Sequence, residues 1–261
     1  MLMNLPIFIA QASYYYGNDY YAGVPGMYSS VTLIGGAILL LTMLIGGAVQ
    51  MGLKNAFQRY AQEQAPLTGA EVARRMLRQN GLDDVQVIST PGRLTDHYNP
   101  MDRTVNLSES VFNEASVAAM AVAAHECGHA IQHALAYPWL GLRSSLVPMV
   151  NLGSRLGQIV LMIGLFLLAA GSSPAVAWIG LALYALTTVF ALVTLPVEFD
   201  ASRRALAWLE QSGLADRAMH GQAGTALRWA AMTYVAAALS SLAMLLYYAL
   251  IIMSRASSNR E

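Results

Sequence analysis

The chain has 261 residues, 56% of them hydrophobic and 11% charged, and its 15 basic and 15 acidic residues cancel to zero net charge. A chain this apolar is no ordinary soluble domain, and without a basic excess it carries no footprint for nucleic acid. The single cysteine, Cys127, excludes an internal disulfide.

Residues 1–28 are apolar and tyrosine-rich (Tyr14, Tyr15, Tyr16, Tyr20, Tyr21), and no Lys or Arg precedes Lys54. A cleaved secretory signal needs a basic start, so none is expected, and tyrosines at a bilayer surface account for the composition. Residues 31–52 carry no charge and are long enough to cross a hydrocarbon core, which takes about 20 apolar residues. Lys54, Arg59, Arg74, Arg75 and Arg78 follow. That contrast predicts an N-terminus outside and residue 54 onward in the cytosol.

Residues 66–110 read as soluble. Thr68 and Glu71 form a capping box that opens a short helix, and Gly81 is placed to end it. Val85–Ile88 reads as a strand, Pro91-Gly92 as a turn, Asp96–Pro100 as a loop and Arg103–Leu107 as a second, alternating strand. Ser108 or Ser116 then caps a helix of small and apolar residues that runs to a break at Pro138.

That helix contains His125-Glu126-Cys127-Gly128-His129, a His-Glu-x-x-His pattern. Histidines four apart rise from nearly the same helix face, so both reach one metal ion, and the glutamate between them can take a proton from the attacking water. Two buried histidines and a carboxylate without a partner would be costly, which disfavours a purely incidental pair. Cys127 turns away from the histidine face and is expected to be a small packed thiol. His133, a turn further on, has drifted by about 80° from the direction of His125. It is expected near the ligands or at the surface. His97 and Asn99 lie in the preceding loop, where His97 is a candidate for contact with the oxyanion.

After Pro138, residues 139–154 are mixed in character and read as lying against the membrane surface. A second span covers about 156–170, a third about 175–195, stopped by Pro196, and a fourth about 230–253. Gly171-Ser-Ser-Pro174 joins the second and third as a hairpin, which returns the chain to the side it left. The division that results is 1–53 (N-terminal segment and first span), 54–155 (catalytic part with the histidine helix), 156–195 (hairpin), 196–229 (a second catalytic segment) and 230–261 (fourth span and tail).

A catalytic zinc usually has three protein ligands and one open position. Gln132 and Leu135 stand where a metzincin would have Gly and His, so that class fails. Between Glu126 and Glu198 there is no Asp or Glu, which makes Glu198 the first carboxylate available downstream, and the hairpin returns it to the side of the histidines. Asp200 is the rival. In a helix it lies about 200° round from Glu198, so the two would not share the metal. Asp200 then orients a ligand or pairs with Arg203 or Arg204. Pairing with these arginines is also the alternative role for Glu198.

Several separated motifs carry a family likeness between Leu67 and Met253. They are Leu67-Thr-Gly-Ala-Glu-Val-Ala-Arg74, Asp96-His-Tyr-Asn-Pro100, Val122-Ala-Ala-His-Glu-Cys-Gly-His-Ala-Ile-Gln132, Leu195-Pro-Val-Glu-Phe-Asp-Ala-Ser-Arg-Arg-Ala205 and Met232-Thr-Tyr-Val-Ala-Ala237. The chain resembles the YugP-like bacterial membrane zinc metallopeptidases, the neutral zinc metallopeptidases. More distantly it is similar to HtpX and the CAAX prenyl proteases, which place the ligand in a Glu-x-x-x-Asp pattern where this chain has Ser202. The resemblance implies a mainly α integral membrane protein with about four transmembrane helices and a small α+β zincin-like (gluzincin) domain. It implies His125, His129 and Glu198 as ligands of one Zn2+ ion and Glu126 as the base.

The expectation is a zinc metalloendopeptidase of the bacterial inner membrane. Its partners are the bilayer and protein or peptide substrates, membrane proteins among them. Arg103, Thr104, Val105, Asn106 and Leu107 are expected to pair with an extended substrate, and Arg203, Arg204 or His97 to face the oxyanion. The competing readings are a site-2-type intramembrane protease and a zinc-binding membrane scaffold. The first expects an Asp-Gly in a later span, which is absent. The second expects a closed, cysteine-rich site.

Overall fold

The computed structural model describes residues 25–258, with side chains from 33 to 257. The tyrosine-rich reading of residues 1–24 lies outside them. Of the described residues, 25–37 belong to one unit and 38–258 to a second, which holds the sheet, the helices after α1 and the site described below.

The elements in order are α1 (Pro25–Tyr60), α2 (Gly69–Gln79), β1 (Gln86–Thr90), β2 (His97–Asn99), β3 (Thr104–Ser108), α3 (Glu109–Asn113), α4 (Val117–Ala134), α5 (Pro138–Ala169), α6 (Ala175–Gln211) and α7 (Arg217–Ser258). Among the described residues, α1, α5, α6 and α7 are long and apolar enough to cross a membrane. The capping box forms as the sequence requires: the Thr68 amide donates to Glu71 Oε2 over 2.8 Å, and Thr68 Oγ1 accepts from the Glu71 amide. Gly81, at φ 70°, follows α2. Ser116, not Ser108, caps α4, accepting from the Ala119 amide. Ser108 instead donates its amide and hydroxyl to Asp96, which ties the start of β2 to the end of β3.

Four expectations are corrected. The Asp96–Pro100 loop contains strand β2, which pairs antiparallel with β3 from His97↔Asn106 to Asn99↔Thr104. The sheet order is β1-β3-β2, with β1 and β3 parallel. Residues Arg103–Leu107 therefore offer no free edge to a substrate strand: β3 is the central strand, paired with β1 along its length and with β2 from Thr104 to Asn106. Residues 139–154 are no separate surface segment but the first half of α5, which runs on through Pro148. Pro196 does not stop α6, which continues to Gln211. A proline inside a helix costs ~3 kcal/mol or more. Beyond Pro196, however, α6 buries Val197, Ala201, Ala205 and Leu209 completely, and that packing outweighs the lost bond.

The core under the sheet joins α2, α4 and α6 through Val72, Met76, Leu107, Met120, Ala124 and Leu209. Cys127 belongs to it, its thiol donating to the Ala73 carbonyl at 3.6 Å, and burial pushes its pKa well up. It is the packed thiol expected. A smaller cluster of Leu161, Leu168, Ala177, Leu181 and Ile252 holds α5, α6 and α7 together. Here Gly180 lets the α5 and α6 backbones approach, since a Cβ on it would lie 2.3 Å from the Leu161 amide nitrogen.

Candidate metal centre

Two helices supply the donors. α4 projects His125 and His129 one turn apart, their rings edge to face with centroids 4.8 Å apart. α6 lies across α4 and brings Glu198 to them: Oε2 is 3.3 Å from His125 Nε2 and 3.7 Å from His129 Nε2. One donor atom from each of these residues lies within 4.8 Å of the others. Two imidazole nitrogens and a carboxylate oxygen that converge in this way fit a zinc ion. Among the described residues this is the group of three or more His, Cys, Asp or Glu side chains that can hold a metal.

The far nitrogens of both imidazoles are engaged. His125 Nδ1 meets Ser202 Oγ at 3.1 Å. His129 Nδ1 meets Gln132 Oε1 at 3.0 Å. Gln132 is fully buried and spends both amide hydrogens, on the Val197 carbonyl at 2.8 Å and on Asp200 Oδ2 at 2.9 Å. Its oxygen must therefore accept, so His129 donates from Nδ1, which leaves Nε2 as the nitrogen available to a metal ion. Burial alone would lower the His129 pKa, but the neighbouring Glu198 and Glu126 carboxylates and Gln132 raise it by more, and it lies above the ordinary value. Asp200 is held in turn by Arg203 and Arg204. Replacing Gln132 with leucine is expected to weaken zinc binding by about 10–100-fold, as for other groups that orient metal-binding histidines. Competition with a chromophoric chelator measures this, and an unchanged affinity removes Gln132 from the role.

A cavity of about 480 Å3 opens over these groups. Glu126, 8% exposed, lines it beside the two histidines. Asp96, His97 and Tyr98 of the β2 region form one wall and the first part of α5 another. His133 borders it too, its Nδ1 bonded to the Tyr98 hydroxyl at 2.8 Å, so it braces the sheet rather than joining the ligands. His97 is exposed and its Nδ1 is bonded to the Thr95 carbonyl, which leaves Nε2 free of that bond. Arg203 and Arg204 do not line the cavity; both are spent on Asp200.

A family model described as "Putative neutral zinc metallopeptidase" matches residues 36–253. The chain belongs to this family. It is 41% identical over 212 residues, 80% of this chain and 92% of the other, to a protein of Bacillus subtilis (strain 168) named "Putative membrane protease YugP". No solved structure matches. Membership in this zinc metallopeptidase family agrees with the donor set, and the similarity to a membrane protease agrees with the four apolar helices.

Sequence reasoning gave no role to four residues that the structure places around the candidate metal centre: Ser202, Gln132, Arg143 and Tyr234. Ser202 stands where the Glu-x-x-x-Asp pattern has its aspartate, so the position was marked even though the residue type differed. Gln132 closes the motif that holds the histidines. Arg143 is one of two charged residues, with Arg155, between Glu126 and Glu198. Tyr234 sits in the last of the motifs and lines the cavity from α7.

Proposed function

We propose that the protein is a membrane-embedded zinc metalloendopeptidase of the gluzincin type, with a zincin-like catalytic part at the cytosolic membrane surface and its N-terminus outside. The observation that carries this reading is the meeting of His125, His129 and Glu198 at one point in a cavity that Glu126 also lines. One ion is expected, held by those three residues. When bound it would polarise the scissile carbonyl and lower the pKa of the attacking water toward 7. Glu126 accepts that water's proton and delivers it to the leaving amine. Gln132 and Ser202 hold the imidazoles in place throughout. With Arg203 and Arg204 spent on Asp200, His97 is the one of the three expected oxyanion donors that faces the cavity.

The substrate is a protein or peptide segment, drawn from membrane proteins among others. It lies extended along the outer edge of β2, which borders the cavity and is the terminal strand of the sheet. A scaffold with structural zinc is disfavoured, since such sites are usually closed by four ligands and rich in cysteine. The test is zinc content together with peptide hydrolysis by the purified chain in detergent. About one zinc per chain, hydrolysis stopped by a chelator and restored by zinc, is the expected result. Tight zinc binding without hydrolysis of casein or any peptide in a broad library would favour the scaffold.

A further inference from the structure

Glu198 is 3% exposed, and its two oxygens face different partners, with the Tyr234 hydroxyl also beside the carboxylate. Oε2 faces the two imidazoles. Oε1 lies 3.3 Å from Nη1 of Arg143, which reaches across from α5. Arg143 lies in the charge-poor stretch that joins the two halves of the site, and its side chain is 30% exposed within the cavity wall. The other arginines near this part of α6, Arg203 and Arg204, are turned to Asp200. A carboxylate buried this deeply costs several kcal/mol of lost hydration unless a partner offsets it. A guanidinium is charged at every pH at which a protein is folded, so the offset is permanent.

A free carboxylate rotates about its last carbon–carbon bond and exchanges its two oxygens. With one of them held by a guanidinium it does not. We propose that Arg143 is a positioning residue for the third ligand: it holds one oxygen of Glu198 away from the imidazoles, so that the metal position receives the other oxygen alone. The inference rests on the metal-site reading above. Its consequence is that the coordination left open for water and substrate depends on a residue of α5, on the opposite arm of the hairpin from the ligand it controls.

The test uses cobalt(II) alone on the metal-stripped full chain in detergent, without substrate, because the visible absorption of cobalt reports its coordination number. Wild type is compared with Arg143→Met and Arg143→Lys. In Arg143→Met the second Glu198 oxygen is free to join, so absorption per cobalt falls as the coordination number rises. The dissociation constant weakens by about 10–100-fold, the range for groups that orient ligands. Arg143→Lys, which restores the charge, recovers part of both. If Arg143→Met loses its helical circular dichroism, Arg143→Gln, which keeps a donor without the charge, carries the same expectation. An Arg143→Met spectrum and dissociation constant equal to wild type overturn the proposal. So does a defect that Arg143→Lys leaves untouched. A role for Arg143 in contacting substrate alone would also leave the substrate-free spectrum unmoved. Failure of wild type to take up cobalt overturns the metal-site reading itself, and is thus told apart from failure of this proposal.

Discussion

Replacing Glu126 with glutamine is expected to leave zinc stoichiometry near that of wild type and to reduce peptide hydrolysis by about 10²–10⁴-fold, the range for loss of a positioned general base. The side chain is buried and lines the cavity, yet it is not one of the three residues whose donor atoms converge. Glutamine matches glutamate in shape and keeps a hydrogen-bonding oxygen, so packing in α4 is preserved, but it cannot accept a proton at neutral pH. Zinc per chain is read by atomic absorption and hydrolysis by a quenched fluorescent peptide at saturating concentration. Hydrolysis within a few-fold of wild type would falsify the assignment of Glu126 as base. Loss of zinc would move Glu126 into the metal-holding set.

The legible parts of this protein are those coded by local chemistry. Ser116, a run of small apolar residues and two histidines four apart define α4 and its metal-facing side without reference to anything distant. Glu198 was legible for a different reason: no other carboxylate stands between it and Glu126, which leaves it the first one downstream. The extents of α5 and α6 were not legible: residues 139–154 are too mixed in character to read as part of a span, and Pro196 signals a helix break locally that is overruled by packing that forms only in the fold. Strand β2 has three residues and no alternating pattern, and its place at the sheet edge is set by Asp96 gripping Ser108, a contact across twelve residues. That misplacement carried over to function, since the strand nominated for substrate turned out to be the one with no free edge.

The arrangement of α6 explains how the site is held with Ser, not a carboxylate, at 202. Three residues within one stretch act on three different groups. Glu198 meets both imidazoles, Ser202 reaches His125 Nδ1 from the next turn, and Asp200, on the other side of the helix, reaches His129 through Gln132. The histidines are oriented by a hydroxyl at 202 and by an Asp–Gln relay that starts two residues earlier. One consequence is that the position of α6 against α4 sets all three contacts together.

That dependence makes the site sensitive to Gly128, which carries no functional group of its own. It lies between the two histidines on α4, and a Cβ placed on it would sit 2.6 Å from the carbonyl oxygen of Ala201 on α6. The obstacle is backbone, so no side chain can rotate away; the helices must separate. Ala201 lies between Asp200 and Ser202, and Glu198 is one turn earlier, so separation withdraws the third ligand and both orienting contacts at once. Gly128→Ala is expected to weaken zinc binding measurably and Gly128→Val to weaken it by at least about 100-fold, beyond the effect of losing a single orienting group. Overpacking of this kind also costs about 1–3 kcal/mol of stability. Gly221→Ala is the control, because its Cβ would meet nothing within 4 Å, and it should bind zinc as wild type does. Affinity is measured by chelator competition on metal-stripped protein, with circular dichroism to establish that each variant is folded. A folded Gly128→Val that binds zinc as tightly as the control would show that α4 and α6 need not approach this closely, and the account of a site assembled by helix contact would have to be abandoned.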